Sequence, residues 1–196
     1  MDQTVEAIHA FWFGDLDKDG LCEPSQHDLW FRKSDDTDRL CREQFGDAVQ
    51  QALAGELDHW RESETGLVAL ILLLDQFTRN IYRDTPAAFS GDRRARNLAV
   101  ETIDSGAEAG LPPIHRVFVY LPLEHSENAA DQARCVNLFH ALADATGKQQ
   151  FHDFARYADA HREVIDRFGR FPHRNAILGR ESTAAEQVYL EKHGGF

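Results

Sequence analysis

The stretch LVALILLLDQFTRNIYR, residues 67–83, decides the fold. Leu67 through Leu74 is apolar at every position, so a helix built from it has no solvent face and belongs in the interior. The same helix then runs into Asp75, Gln76, Arg79 and Asn80. Polar groups on a central helix need partners, because burying them without hydrogen bonds is costly. At about 100° per residue, Asp75 and Arg79 share one stripe and Gln76 and Asn80 the next, with Leu74, Phe77 and Ile81 on the far side. Such a pattern fits either a buried network that sets helix packing or a ligand site, since perturbed ionisable groups mark both.

On either side the chain reads as a row of helices. Apolar spacing predicts one over Thr4–Phe13, stopped by Gly14, and a short one after Ser25 that carries Trp30 and Phe31. Ser34 followed by Asp35, Asp36 and Asp38 opens a helix running to Ala54 and ended by Gly55. Thr65 is expected to cap the central helix. Thr85-Pro86 starts a pattern that reaches Gly106 with a break near Gly91, and Pro112-Pro113 opens a helix that Pro122 should end. Ser126 is expected to cap Glu127–Thr146, a longer helix covers Gln149–Phe168, and Thr183 with Glu186 forms a capping box for the last one. No stretch alternates like a half-buried strand. The expected fold is all-α, with eight or nine short antiparallel helices in a single domain over residues 1–196.

The net charge of −12 argues against nonspecific nucleic-acid binding and against an anionic membrane surface. The longest apolar run, Leu67–Leu74, is too short to span a bilayer, and the acidic N-terminus does not read as a signal peptide. Cys22, Cys41 and Cys135 have no CxxC spacing, which suggests neither a disulfide frame nor a cysteine zinc site and fits a reducing cytoplasm. There is no GxGxxG, P-loop or GxSxG, so nucleotide and α/β-hydrolase readings lack support, and the cofactor, if any, is unknown from the sequence. Asp15 through Gly20 matches the start of a calcium loop, but its twelfth position is Gln26, not the bidentate glutamate; it reads as an acidic surface turn.

Two further segments concentrate reactive types. Glu124, His125 and Glu127 are bunched after Pro122, where a carboxylate can orient a histidine, although helix capping accounts for the acids equally well. HExxH is absent, as is the deaminase zinc pattern, so no metal is expected. Residues 161–180 hold Arg162, Arg167, Arg170, Arg174 and Arg180 against Glu163 and Asp166, a segment of net +3 in an acidic chain. His161, His173 and Asn175 add donors. Forked arginine donors suit a carboxylate or phosphate, yet they can equally pair with the chain's own acids.

At these segments the chain resembles a known group. FWFG (11–14), LLLDQFTRNIYR (72–83), YLPLEHSE (120–127), HREVIDRFGRFPHRN (161–175) and LGRESTAAE (178–186) look like the signature blocks of the bacterial domain-of-unknown-function family numbered 924. The blocks occur in order over nearly the whole chain. The resemblance implies a tetratricopeptide-repeat-like helical fold and no established reaction.

Three readings follow. The first is a binding module whose helical hairpins form a groove for a small anionic ligand or a peptide. Its residues are Asp75, Gln76, Arg79, Asn80, Glu124, His125, Glu127, His161, Arg170, His173, Arg174 and Asn175. The second is a hydrolase, with His125 or His161 as base, Asp75 or Glu127 orienting it, Arg79 or Arg174 stabilising negative charge, and a metal as a variant. The third is a purely architectural network.

Overall fold

Helix ends in this chain follow local chemistry. In the computed structural model, which describes residues 2–195, Ser34 accepts the Thr37 amide through its hydroxyl and Gly55 ends the helix in the left-handed region, at φ 87°. Nine continuous helices, and no strand, occur among the described residues: α1 Gln3–Trp12, α2 Gln26–Phe31, α3 Asp35–Ala54, α4, α5 Asp92–Asp104, α6 Pro113–Glu124, α7 Ala129–Thr146, α8 Gln149–Phe168 and α9 Ala184–His193. Helix α4 is composite, made of Glu64–Leu72, a π turn at Leu73–Phe77, and Thr78–Ile81. The all-α expectation is met. No helix among the described residues is long and apolar enough to cross a membrane.

Three predicted ends differ. Ser63, not Thr65, caps α4 by accepting the Gly66 amide, while the Thr65 carbonyl is 2.9 Å from His9 Nε2. Helix α6 continues through Pro122 to Glu124. The proline forgoes the one backbone bond back to the preceding turn, and the Gln132 side chain donates to the Leu123, Glu124 and Ser126 carbonyls at this end. Asn128, not Ser126, caps α7, because its side chain reaches the Ala130 and Asp131 amides; the Ser126 hydroxyl donates to Asp131 instead. The capping box of Thr183 and Glu186 is present as predicted.

The chain divides into two compact units. The first holds residues up to Arg83 together with Ala87–Pro122. Its core is aromatic: Trp12 and Phe45 pack on Phe77 at ring distances of 5.0 and 5.1 Å, and Trp30 packs on Phe118 at 5.0 Å. The Trp30 indole donates to the Trp12 carbonyl at 2.8 Å. The apolar half of α4, Val68 through Leu74, is buried throughout, as a helix without a polar face must be. Gly91 lets α5 approach it: a Cβ at this position would lie 2.1 Å from the Leu74 carbonyl oxygen.

The second unit holds Asp84–Pro86 and the chain from Leu123 onward. A two-residue connection, Gly147 and Lys148, folds α7 and α8 into a hairpin around Phe139, Phe151 and Phe154. Gly169 ends α8 in the left-handed region, and Phe171 is buried against Val164 and Ile165.

Candidate functional site

The predicted site residues fall into both units. Asp75, Gln76, Arg79 and Asn80 belong to the first and the other eight to the second. Each group is built from its own elements.

In the first unit the π turn widens α4 where its polar residues begin, so the 100° wheel holds only as far as Leu72. The Thr78 hydroxyl donates to the Leu74 carbonyl at 2.9 Å, filling part of the loosened ladder. Asp75 is 0% exposed and accepts from the Gln76 amide at 2.6 Å. Arg79 donates to the Asp75 carbonyl at 2.7 Å and lies 3.4 Å from its carboxylate. Its main partner is Asp92 at the start of α5, gripped through two bonds of 2.8 and 3.1 Å, and Phe89 lies under the guanidinium. Asn80 turns to Asp38 of α3, which also takes both arms of Arg83 at 2.5 and 2.7 Å. Burial works to raise the Asp38 pKa, but the Arg83 and Asn80 hydrogen bonds and the charges of Arg83 and Arg42 hold it below the usual carboxylate range. For Arg79, burial favours the neutral form, yet the neighbouring Asp75 and Asp92 keep its pKa above its ordinary value. In this group Arg79 and Arg83 are each matched to a carboxylate, and Arg42 donates to the Ile81 carbonyl.

Sequence reasoning missed Asp38, Arg83 and Asp92. Asp38 left a readable signal: it lies on the same stripe of α3 as Cys41, Phe45, Val49 and Ala52, all buried. An acid at core spacing requires a partner.

In the second unit Glu124 ends α6, His161 lies in α8, and Arg170 through Asn175 form the loop after it. His161 Nδ1 is 2.8 Å from the Tyr157 carbonyl and 3.4 Å from Glu124 Oε1. A carbonyl only accepts, so Nδ1 carries the proton and Nε2 keeps its lone pair. The His161 pKa falls to about 3, chiefly through burial, with His125, His173 and Arg174 also lowering it against the raising effect of the Tyr157 bond. The imidazole is therefore neutral near pH 7. Phe171 is the hub: His161 meets its ring edge-on at 5.6 Å, His173 lies at 5.7 Å, and the Arg174 guanidinium sits 4.6 Å over it. His125 is 6.5 Å from His161. Arg174 and His161 are each only 7% exposed.

The remaining predicted donors of this unit are committed within the protein. Glu127 takes both arms of Arg180, at 2.7 and 2.9 Å, and the Phe171 amide at 2.8 Å. Burial tends to raise the Glu127 pKa, but these bonds, with the charges of Arg180 and Arg174, lower it. Asn175 joins Arg180 to Ser182, and Arg170 grips Glu186 at 2.7 and 2.9 Å. Of the five arginines in 161–180, Arg162, Arg170 and Arg180 pair with the chain's own acids, whereas Arg167 and Arg174 lie on aromatic rings. Arg180 and Glu186 were outside the predicted site, although the capping box already marked Glu186 as a side chain turned back on its own backbone. Among the described residues no group of three or more His, Cys, Asp or Glu side chains is placed to hold a metal ion.

No curated protein matches the chain. It is similar to the solved structure of a protein of unknown function from Agrobacterium tumefaciens, at 37% identity and a TM-score of 0.81, over 97% of this chain and 98% of that one. The model of a family described as bacterial protein of unknown function, DUF924, matches residues 8–194, and the chain belongs to that family.

Proposed function

We propose that the second unit is a binding module for a small anion or an anionic peptide end, recognised by Arg174 with His125, His161 and His173. One observation carries this reading: four nitrogen-bearing side chains gather around the Phe171 region, and the arginine and one histidine among them are largely out of water. Glu124 lies 3.4 Å from His161 and the Arg174 charge acts on Glu127, and an anion entering here gains charge-assisted hydrogen bonds from the nitrogen-bearing groups of this cluster. The neutral Nε2 of His161 adds an acceptor, which suits a ligand that also offers a hydroxyl or amine proton. Hairpin α7–α8 supports the tetratricopeptide-like part of the reading, since stacked hairpins build binding grooves.

The test is the melting temperature of the purified protein against phosphate, small carboxylates and a peptide with a free C-terminus. A ligand at 100 times its dissociation constant adds about 2.7 kcal/mol of stability. The gain disappears in Arg174→Met. No response to any of these anions in the intact protein refutes the reading.

The hydrolase alternative draws on the Glu124–His161 contact. A histidine titrating at about 3 is poorly matched to proton transfer near pH 7, which favours hydrogen bonding over general-base work. Turnover in a broad esterase and phosphatase screen, lost in His161→Asn, would reverse that preference.

A further inference from the structure

A second region of the same unit has the makings of a ligand site and shares none of the side chains assigned above. Helices α8 and α9 border a cleft of about 340 Å³ lined by Glu163, Val164, Arg167, Tyr189, His193 and Gly195. That volume lies at the small end of ligand pockets. Val164 is buried and supplies an apolar floor. Tyr189 and His193, four residues apart on α9, stack with ring centres 4.8 Å apart and planes 21° from parallel, so each covers one face of the other and the pair lines the cleft as an aromatic stack.

The charges are arranged unusually. Glu163 and Arg167 are four residues apart on α8 and within reach of each other, as such pairs on a helix are. Arg167 instead rests on aromatic faces, 4.7 Å from the centre of Phe168 and 5.8 Å from that of Tyr189. No ion pair joins Arg167 to Glu163 or to any other acid among the described residues. Both side chains are exposed, so both heads face water at the mouth of the cleft. Tyr189 senses them together: burial raises its pKa, Glu163 raises it further, and Arg167 opposes. One cation, one anion and a stacked aromatic wall thus share one small opening, with the two charged residues about 6 Å apart along the helix axis.

We propose that this cleft binds a small zwitterion with an aromatic body, an aromatic α-amino acid being the simplest case. Arg167 holds the carboxylate, Glu163 holds the ammonium, and the ring packs against the exposed side of the Tyr189–His193 stack over Val164. A helix surface bearing only an arginine or only a glutamate would favour a simple anion or amine. The two together beside an aromatic stack favour a molecule that carries both charges and a ring.

Saturation-transfer NMR with the whole protein tests this, using L-phenylalanine as probe beside 3-phenylpropionate, which lacks the ammonium, and phenethylamine, which lacks the carboxylate. Phenylalanine is expected to bind saturably and the truncated probes at least about tenfold more weakly. Arg167→Gln and Glu163→Gln alter exposed side chains and leave the fold intact. The first is expected to erase the advantage of phenylalanine over phenethylamine, and the second its advantage over phenylpropionate. Arg174→Met, which removes the anion response proposed above, leaves phenylalanine binding unchanged, so the two ideas fail separately. No saturable phenylalanine signal up to about 10 mM, equal affinity for all three probes, or indifference to both variants overturns the assignment.

Discussion

The two polar groups use the same residue types to opposite ends. Around the π turn of α4, Arg79 lies between Asp75 and Asp92, and Arg83 faces Asp38. In the loop after α8, Arg174 lies on Phe171, in the company of three histidines. The first group resembles a fastening, in which acid and base from different helices are matched and the gain is fixed packing. The second gathers an arginine and histidines around one aromatic ring, and the anion site proposed above is placed there. Arginine content alone does not separate a site from a strut.

The comparison breaks hardest at Gly91. Replacing it with alanine drives a Cβ into the Leu74 carbonyl, a backbone atom that cannot swing aside. Gly91→Ala is expected to cost about 4 kcal/mol or more in urea unfolding, or to prevent folding. A variant of wild-type stability would mean that α5 does not seat on the π turn.

Removing one partner of the matched network comes next. Asp75→Ala leaves Arg79 with half its buried countercharge and is expected to cost about 3–5 kcal/mol, without changing any anion response of the folded protein. A mild stability loss with altered ligand response would move Asp75 from fastening to site.

Acid titration probes both units. His161 in the second and His115 in the first each titrate near pH 3 in the folded protein, below the ordinary 6.5, because burial disfavours their charged forms. Between pH 6.5 and 3 the unfolded chain binds more protons at these positions than the folded one, so stability rises with pH across that window and is lost on acidification. His161→Asn and His115→Asn are each expected to flatten part of the slope of urea midpoint against pH. Unchanged slopes in both would show that neither ring is held neutral.

Arg174→Met should alter stability by only about 1 kcal/mol, since a long apolar chain still covers Phe171, while abolishing anion stabilisation. The smallest effect belongs to Arg162→Gln, an exposed pair with Asp166, where urea unfolding should register no more than about 0.5 kcal/mol. A larger loss there would show that the loop arginines act as one network.

Most of the helical layout was legible in the chain. Helix α8 matches its predicted bounds, and Ser34, Gly55 and the Thr183–Glu186 box work as read, because capping and periodicity involve residues only a few positions apart. The caps that differed, Ser63 for Thr65 and Asn128 for Ser126, were choices between neighbouring side chains of similar chemistry. The run through Pro122 was less legible, since Gln132, nine and eight residues beyond Leu123 and Glu124, supplies donors to that helix end from α7.

By itself, then, the chain determined an all-helical protein, a buried apolar half of α4, and the segments in which its polar chemistry is concentrated. Tertiary structure alone decided the partners: Asp92 for Arg79, Asp38 for Asn80 and Arg83, Glu186 for Arg170, and an aromatic ring for Arg174. The physical reason is range. A helix is written in contacts three or four residues apart, whereas the state of a buried charge depends on whichever distant side chains the packing brings within hydrogen-bonding distance.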